Sequence, residues 1–288
     1  MKDQIQRLLQ DRVNQSIKEL NESSCPKVER KKESLERRQA EIIKTSATGR
    51  IRLMEEEGEN TFIYYDVHMQ YLLKQRGLIY IEEEVEHRRS AFYQNVLIGD
   101  DEQPIPVQQN ADIYPSMEDE VEYRSAYQYD RLKAAQYAER WWNSYNPAFK
   151  TFEVDCTNFI SQCLHAGGAP MRGYPGRGSG WWMQNNNWSY SWTVANSLKW
   201  YLSSSRSGLR ARQVNDPQEL KIGDVICYDF QGDGRFDHNT IVTGKDADGM
   251  PLVNAHTYNS RMRYWAYEDS SAYTPNIKYR FFTIVDDQ

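Results

Sequence analysis

Cysteine is sparse in this 288-residue chain, and the four present, Cys25, Cys156, Cys163 and Cys227, form no C-x-x-C pair. Neither a zinc ribbon nor a disulfide scaffold is therefore expected, and free thiols suit a reducing compartment. Long apolar runs are missing as well: no window approaches the ~20 residues that a membrane span needs. The opening stretch "MKDQIQRLLQDRVNQSIKEL" has no apolar core between its charges, so it does not read as a secretory signal. Positive charge is in deficit, with 35 Lys and Arg against 41 Asp and Glu. A net charge of −6 argues against a general nucleic-acid binder, which must meet phosphates with cations. Only five histidines are present, so chemistry that needs an imidazole base has few places to find one.

Aromatic residues, by contrast, make up 13% of the chain, and most of the tryptophan follows residue 140, which puts the larger core in the second half. The spacing of Ile5, Leu8, Leu9, Val13, Ile17 and Leu20 predicts a helix. A break at "ESSCP" interrupts it, and a charged helix with a solvated face is expected to resume and run to about residue 48. From residue 49 apolar and polar residues alternate between glycines, as in "NTFIYYDVHMQYLLKQ", predicting three or four antiparallel strands solvated on one face. Residues 1–98 thus read as an accessory domain of helix plus antiparallel sheet, with a cone-like outline similar to cystatin or nuclear-transport-factor folds. The acidic, Pro-containing residues 99–123 read as a linker. Residues 124–288 form the second domain, which makes the whole chain α+β.

That domain opens with a helix in "YDRLKAAQYAERWWNSYNP", stopped at Asn146-Pro147. A Gly- and Trp-rich segment over 167–192, a helix near 193–203 and a capped turn in "NDPQEL" follow. Four strands, "DVICYDF", "NTIVTG", "PLVNAHTY" and "KYRFFTIV", end the chain.

The stretch "VDCTNFISQCL" places a cysteine where a helix begins. Asp155 reads as the N-cap, its carboxylate accepting from the amides of Thr157 or Asn158, and Cys156 as the first helical residue. Unpaired amides there favour a thiolate and can donate to an oxyanion. Cys163 and Cys227, within apolar runs, read as core. A thiol nucleophile needs a base. His68 and His87 lie in the first domain on surface-type strands, and His165 sits too far along the cysteine's own helix. That leaves His238, which opens the strand "NTIVTG", and His256, in the next strand. Cys156 as nucleophile, His238 as base, and either Asn254 or His256 as orienting residue make a candidate constellation.

"DCTNFISQC", followed by "LKIGDVICYDFQGDGRFDHNTIVT" and "NAHTYN" and preceded by "YDRLKAAQYAERWWNSYNPAF", resembles the putative amidase-domain family of Gram-positive bacteria. That family is grouped with NlpC-type and CHAP peptidases in the papain-like superfamily. The resemblance covers about residues 124–285. It implies a papain-like fold, Cys156 as nucleophile, His238 as base, and His256 before Asn254 as the orienting residue. It also implies, as substrate, an amide or peptide bond in peptidoglycan, cleaved through a thioester without a cofactor. By analogy with a tyrosine in NlpC-type enzymes, Tyr129 is a candidate oxyanion donor, against the alternative of a core aromatic. Two other classes remain on the sequence alone: a non-catalytic binder of wall fragments, and a thiol acyltransferase or transamidase. The first domain would position the enzyme, bind a partner or restrain it. Free thiols favour the cytoplasm or a developing spore, whereas a wall substrate favours the outside.

Two further motifs stand out. In "DFQGDGRFD", Asp229, Gln231, Asp233, Gly234 and Asp237 fall at the first, third, fifth, sixth and ninth positions of a calcium loop. The twelfth is Thr240 rather than Glu, so a tight turn presenting His238 is expected and no metal. Trp181 and Trp182, in "GYPGRGSGWWMQNNNWSYSW", are candidates either to line a substrate cleft or to pack over the sheet.

Overall fold

Cross-strand pairing, more than helix propensity, decides how the first half of the chain folds. A computed structural model describes residues 1–17, 25–104, 127–257 and 259–287. The chain forms two compact units, the first of Met1–Ile105 with Tyr258–Ser271 and the second of Pro106–Thr257 with Ala272–Gln288.

The first unit begins with α1 (Lys2–Ile17) and α2 (Pro26–Arg37). The helix expected to continue to residue 48 stops eleven residues early. "AEIIKTSAT" instead starts β1 (Ala40–Glu57), paired antiparallel with β2 (Asn60–Gln75) from Ala40↔Gln75 onward. Its Ile and Thr residues suit a pleated surface, and the β2 partner supplies the ladder that the local sequence cannot announce. β2 pairs in turn with β3 (Leu78–Tyr93), and β3 with β4 (Val96–Glu102). Two-residue turns join β2 to β3 and β3 to β4; Arg76, Gly77, Gln94 and Asn95 all have positive φ there, the geometry that matches strand twist. β4 runs past residue 99, where the linker was expected to begin, and residues 105–123 of that linker lie outside the described residues.

Along β2 the alternation is strict, with Ile63, Tyr65, Val67, Met69, Tyr71 and Leu73 buried. β3 breaks the expected one-sided pattern: Glu82, Glu83, Glu84, Glu86 and Arg88 are all buried. The charged face of α2, read from sequence as solvated, supplies cations to Glu82, Glu84 and Glu86. Lys27 lies 2.7 Å from Glu86 and 3.1 Å from Glu84, Lys31 lies 2.6 Å from Glu82, and Arg12 of α1 lies 2.8 Å from Glu86. Buried charges persist only when paired in this way.

The second unit carries α3 (Arg131–Trp141), α4 (Cys156–Ala166), a small hairpin of β5 (Met183–Gln184) and β6 (Asn187–Trp188), α5 (Tyr190–Thr193) and α6 (Ala195–Ser204). Then come β7 (Arg210–Val214), β8 (Val225–Asp229), β9 (His238–Lys245) and β10 (Pro251–Ala255). The chain next contributes β11 (Ser260–Tyr264) to the first unit, where it pairs with β3, and returns with β12 (Lys278–Val285). A single break between two consecutive domains therefore does not describe the chain, because β11 finds its partner strand in the first unit. The second unit's sheet has the order β10-β9-β8-β12-β7, antiparallel throughout. Phe159, Ile160, Leu164, Trp181, Trp192, Leu198, Val225, Ile241 and Phe282 form its core. The architecture is α+β with a large antiparallel sheet and several helices.

Candidate active site

α4 is buried along its whole first two turns, residues 156–164, which is unusual for a helix carrying Thr, Asn, Ser and Gln. Each of those groups is paired. Asn158 donates to the Lys150 carbonyl and to Asp155 Oδ1, both at 2.9 Å, and accepts from Trp192 Nε1 at 2.9 Å. Ser161 donates to the Trp192 carbonyl at 2.9 Å and accepts from Trp181 Nε1 at 3.0 Å. Gln162 accepts from the Tyr137 hydroxyl at 2.6 Å. Gly168, at φ +96°, lets the chain turn away after the helix, and its amide donates to the His165 carbonyl at 2.9 Å.

These pairings correct the cleft reading of the tryptophans. Trp181 and Trp182 are both fully buried. Trp181 stacks near Trp192 at 4.6 Å between centroids, and Trp182 Nε1 donates to the Gly176 and Ser179 carbonyls at 3.2 Å. Buried indoles need acceptors for their N–H, and α4 and the glycine-rich loop provide them. Trp188 is the tryptophan of that segment left half-buried. Phe152 packs against it edge-on at 5.0 Å, with Lys150 4.7 Å and Arg177 5.0 Å from its ring.

Asp155 precedes the helix but does not cap it with its side chain. Its Oδ1 accepts from the Phe152 amide at 3.0 Å and from Asn158, and its Oδ2 meets His256 Nδ1 at 2.8 Å. The amides at the helix start are taken instead by a residue the sequence did not suggest: Thr257 Oγ1 accepts from Asp155 N–H at 2.9 Å and from Cys156 N–H at 3.1 Å. Thr257 has φ +57°, a left-handed conformation that a β-branched residue rarely adopts. No sequence pattern signals such a residue.

Cys156 is 1% exposed. Burial pushes its thiol up, partly offset by the Thr157 hydroxyl, 3.7 Å from the sulfur, and by the Asn239 amide. The depressed thiol expected at a helix start is therefore not found. With the Cys156 amide already donating to Thr257, desolvation wins.

His238 opens β9 opposite Tyr228 on β8 and is buried, its ring 5.7 Å from that of Tyr228 and 6.1 Å from Phe230. Asn239, the next residue, brings this strand to the cysteine: its amide acts on the Cys156 sulfur and its Nδ2 donates to Thr157 Oγ1 at 3.0 Å. The turn ahead of His238 is built on Asp229, whose carboxylate accepts from the amides of Gly232, Asp233 and Gly234 at 2.7, 3.2 and 2.8 Å. The first residue of the calcium-like motif thus points at its own loop. Among the described residues no three His, Cys, Asp or Glu side chains converge as metal ligands. Asp237 is pushed up to about 6 by burial, with the Asp229 and Asp233 charges adding to that.

The two candidates for orienting residue lie elsewhere than the sequence suggested. His256 uses both ring nitrogens, Nδ1 on Asp155 and Nε2 on the Trp141 carbonyl at 2.8 Å, and its ring stacks on Phe159 at 4.0 Å between centroids. It has no nitrogen left with which to orient His238. Asn254 accepts from the Thr243 hydroxyl and donates to Glu139 Oε1, both at 2.8 Å. Tyr129 is likewise no oxyanion donor: its buried hydroxyl donates to the Gly223 carbonyl at 2.8 Å, so it packs as a core aromatic.

The arrangement joins a buried thiol at the first residue of a helix, the start of a strand that carries an imidazole, and a hydroxyl held by the helix amides. It suits attack on a carbonyl carbon. A family model described as "Putative amidase domain" matches residues 128–282. Among curated proteins, the uncharacterized protein YhbB of Bacillus subtilis (strain 168) is 56% identical over 268 residues, covering 90% of this chain and 86% of its own length. The uncharacterized protein YjcM of the same organism is 28% identical over 181 residues, covering 58% of this chain and 41% of its own length. No solved structure matches.

Proposed function

Because the chain belongs to the family described as the putative amidase domain, we propose that it is a cysteine-nucleophile amide hydrolase with a papain-like catalytic unit. Cys156 Sγ attacks the amide carbonyl while His238 takes the thiol proton, giving a tetrahedral intermediate. His238 returns that proton to the departing amine, and the C–N bond breaks to leave a thioester on Cys156. Water, deprotonated by His238, then attacks the thioester, releases the carboxylic acid and restores the thiol. The observation that supports this reading is the hydrogen bond from Asn239 Nδ2 to Thr157 Oγ1 at 3.0 Å, which ties the residue after His238 to the residue after Cys156.

The raised thiol supports general-base activation over a standing thiolate, since a buried sulfur ionises only when a base accepts its proton. An amide bond of peptidoglycan is the proposed substrate, on the resemblance to NlpC-type and CHAP peptidases. The half-buried Trp188, beside Phe152 on the segment leading to Asp155, supports an aromatic approach to the site. Digestion of purified Gram-positive peptidoglycan, with mass spectrometry of the new ends, tests the proposal. The wild-type protein is expected to release new amines that C156A and H238A do not. Equal release by all three overturns the mechanism, and release only from soluble peptides overturns the wall substrate.

A further inference from the structure

We propose that Thr257 is a catalytic residue whose hydroxyl proton is donated to the oxyanion formed when Cys156 attacks; the inference rests on the thiol-hydrolase reading. A hydroxyl has two acceptor lone pairs and one proton to donate. In Thr257 both acceptor positions are used, by Asp155 N–H at 2.9 Å and Cys156 N–H at 3.1 Å. Only the proton remains, and among the described residues no group accepts it.

The Cys156 amide, which would otherwise meet the oxyanion directly, is occupied, so the positive end of α4 reaches the reacting carbon through this hydroxyl. Two donated hydrogen bonds polarise the O–H and make it a stronger donor. Position fits the role. An oxygen bonded to the carbon that Sγ attacks develops beside the backbone of Cys156, and Thr257 Oγ1 already sits against that backbone. The φ of +57° on a β-branched residue is the kind of backbone cost that persists where surrounding contacts hold a functional group in place. It also fills a role left empty, since the Tyr129 hydroxyl is committed to Gly223.

Two reagents separate this role from mere capping of α4. Iodoacetamide alkylates a thiol at a saturated carbon and forms no oxyanion. A short N-acetylated peptide aldehyde adds to the thiol as a hemithioacetal, whose new C–O group occupies the oxyanion position. Alkylation of Cys156 is expected not to fall in T257A or T257S, because neither substitution removes the thiol or its base and T257A frees the Cys156 amide. Aldehyde affinity is expected to fall about 100-fold in T257A and to stay within a few-fold of wild type in T257S. T257G, which a left-handed backbone accepts, repeats the comparison should T257A fail to fold. Unchanged or tighter aldehyde binding in T257A or T257G overturns the inference and makes the hydroxyl a cap or a plug. A wild-type protein that alkylates but binds no aldehyde also overturns it. Failure of wild-type Cys156 to react with either reagent overturns the thiol mechanism itself.

Discussion

His256 and Asp155 form a buried pair, Nδ1 to Oδ2 at 2.8 Å, and the other nitrogen of His256 faces the Trp141 carbonyl at the same distance. The ring is thereby held from both sides, Nδ1 on the Asp155 carboxyl and Nε2 on a backbone carbonyl. Phe159 stacked at 4.0 Å and Tyr145 edge-on at 5.1 Å enclose it. The pair fixes the residue that immediately precedes Cys156. H256F keeps the ring volume but leaves Asp155 Oδ2 and the Trp141 carbonyl buried without this partner, and is expected to cost about 2–4 kcal/mol in urea unfolding. D155N combined with H256F should recover part of that loss. A loss below about 1 kcal/mol in H256F would show the pair to be dispensable.

The Cys156 thiol is held up by burial, with Thr157 and Asn239 only partly opposing. Since the fold favours the protonated form, the associated stability is fully present below the ordinary thiol pKa and lost as pH rises from there through the raised, folded value. Iodoacetamide alkylation of Cys156 should therefore show its pH midpoint above the ordinary thiol range of about 8.5. A midpoint below neutrality would mean a standing thiolate, and the general-base account would be wrong.

Trp181 is completely buried and its indole N–H donates to Ser161. Trp181→Ala should cost about 3–5 kcal/mol of stability. Thermal and urea melts check this. A variant as stable as wild type but impaired only in substrate affinity would restore the cleft reading.

In the first unit Lys31 is pushed down by burial but held up by Asp269 at 2.7 Å and Glu82 at 2.6 Å. Lys31→Met strips both carboxylates of a cation and is expected to cost about 3–5 kcal/mol. Acid should act on the same unit. Burial raises Glu83, but hydrogen bonds from His68, Gln70 and Arg261 lower it from 4.5 to about 2. Burial raises Asp269 also, and Arg263 and Lys31 hold it below the ordinary carboxylate range. A depressed folded pKa gives stability that is present above the unfolded value and lost as pH falls toward the folded one, so unfolding should ease between about pH 4.5 and pH 2. Circular dichroism at stepped pH, with a urea midpoint that does not move across this window, would contradict the assignment.

Where short-range rules decide, the sequence was readable. The helix opening at Cys156 follows from "CTNFISQCL" and its terminal Gly167-Gly168, and the strand opening at His238 follows from "NTIVTG" after a glycine turn. The capped turn at Asp216 is present, its side chain accepting from the Gln218 amide at 2.8 Å. Long-range pairing was not readable. "EIIKTSAT" suits helix or strand until β2 lies beside it, and nothing in "NSRMRYW" announces that β11 pairs with β3 of the first unit. The buried glutamates of β3 look solvated until the cations of α1 and α2 are placed against them. In the candidate site the same limit applies. His256 looks like the orienting residue by type and strand position, and only the partners on both its nitrogens reassign it. Thr257 looks like an ordinary strand end until its hydroxyl is found on two amides.

A thioester on Cys156 that depends on His238 for release is the central claim, and acylation by a peptide p-nitrophenyl ester followed by intact-mass and tryptic-peptide spectrometry tests it most directly. The nitrophenolate leaves without acid assistance, so the adduct should form at Cys156, turn over in the wild-type protein, persist in H238A, and be absent from C156A. An adduct of equal yield in C156A, or one that H238A releases as fast as the wild type, would contradict the account.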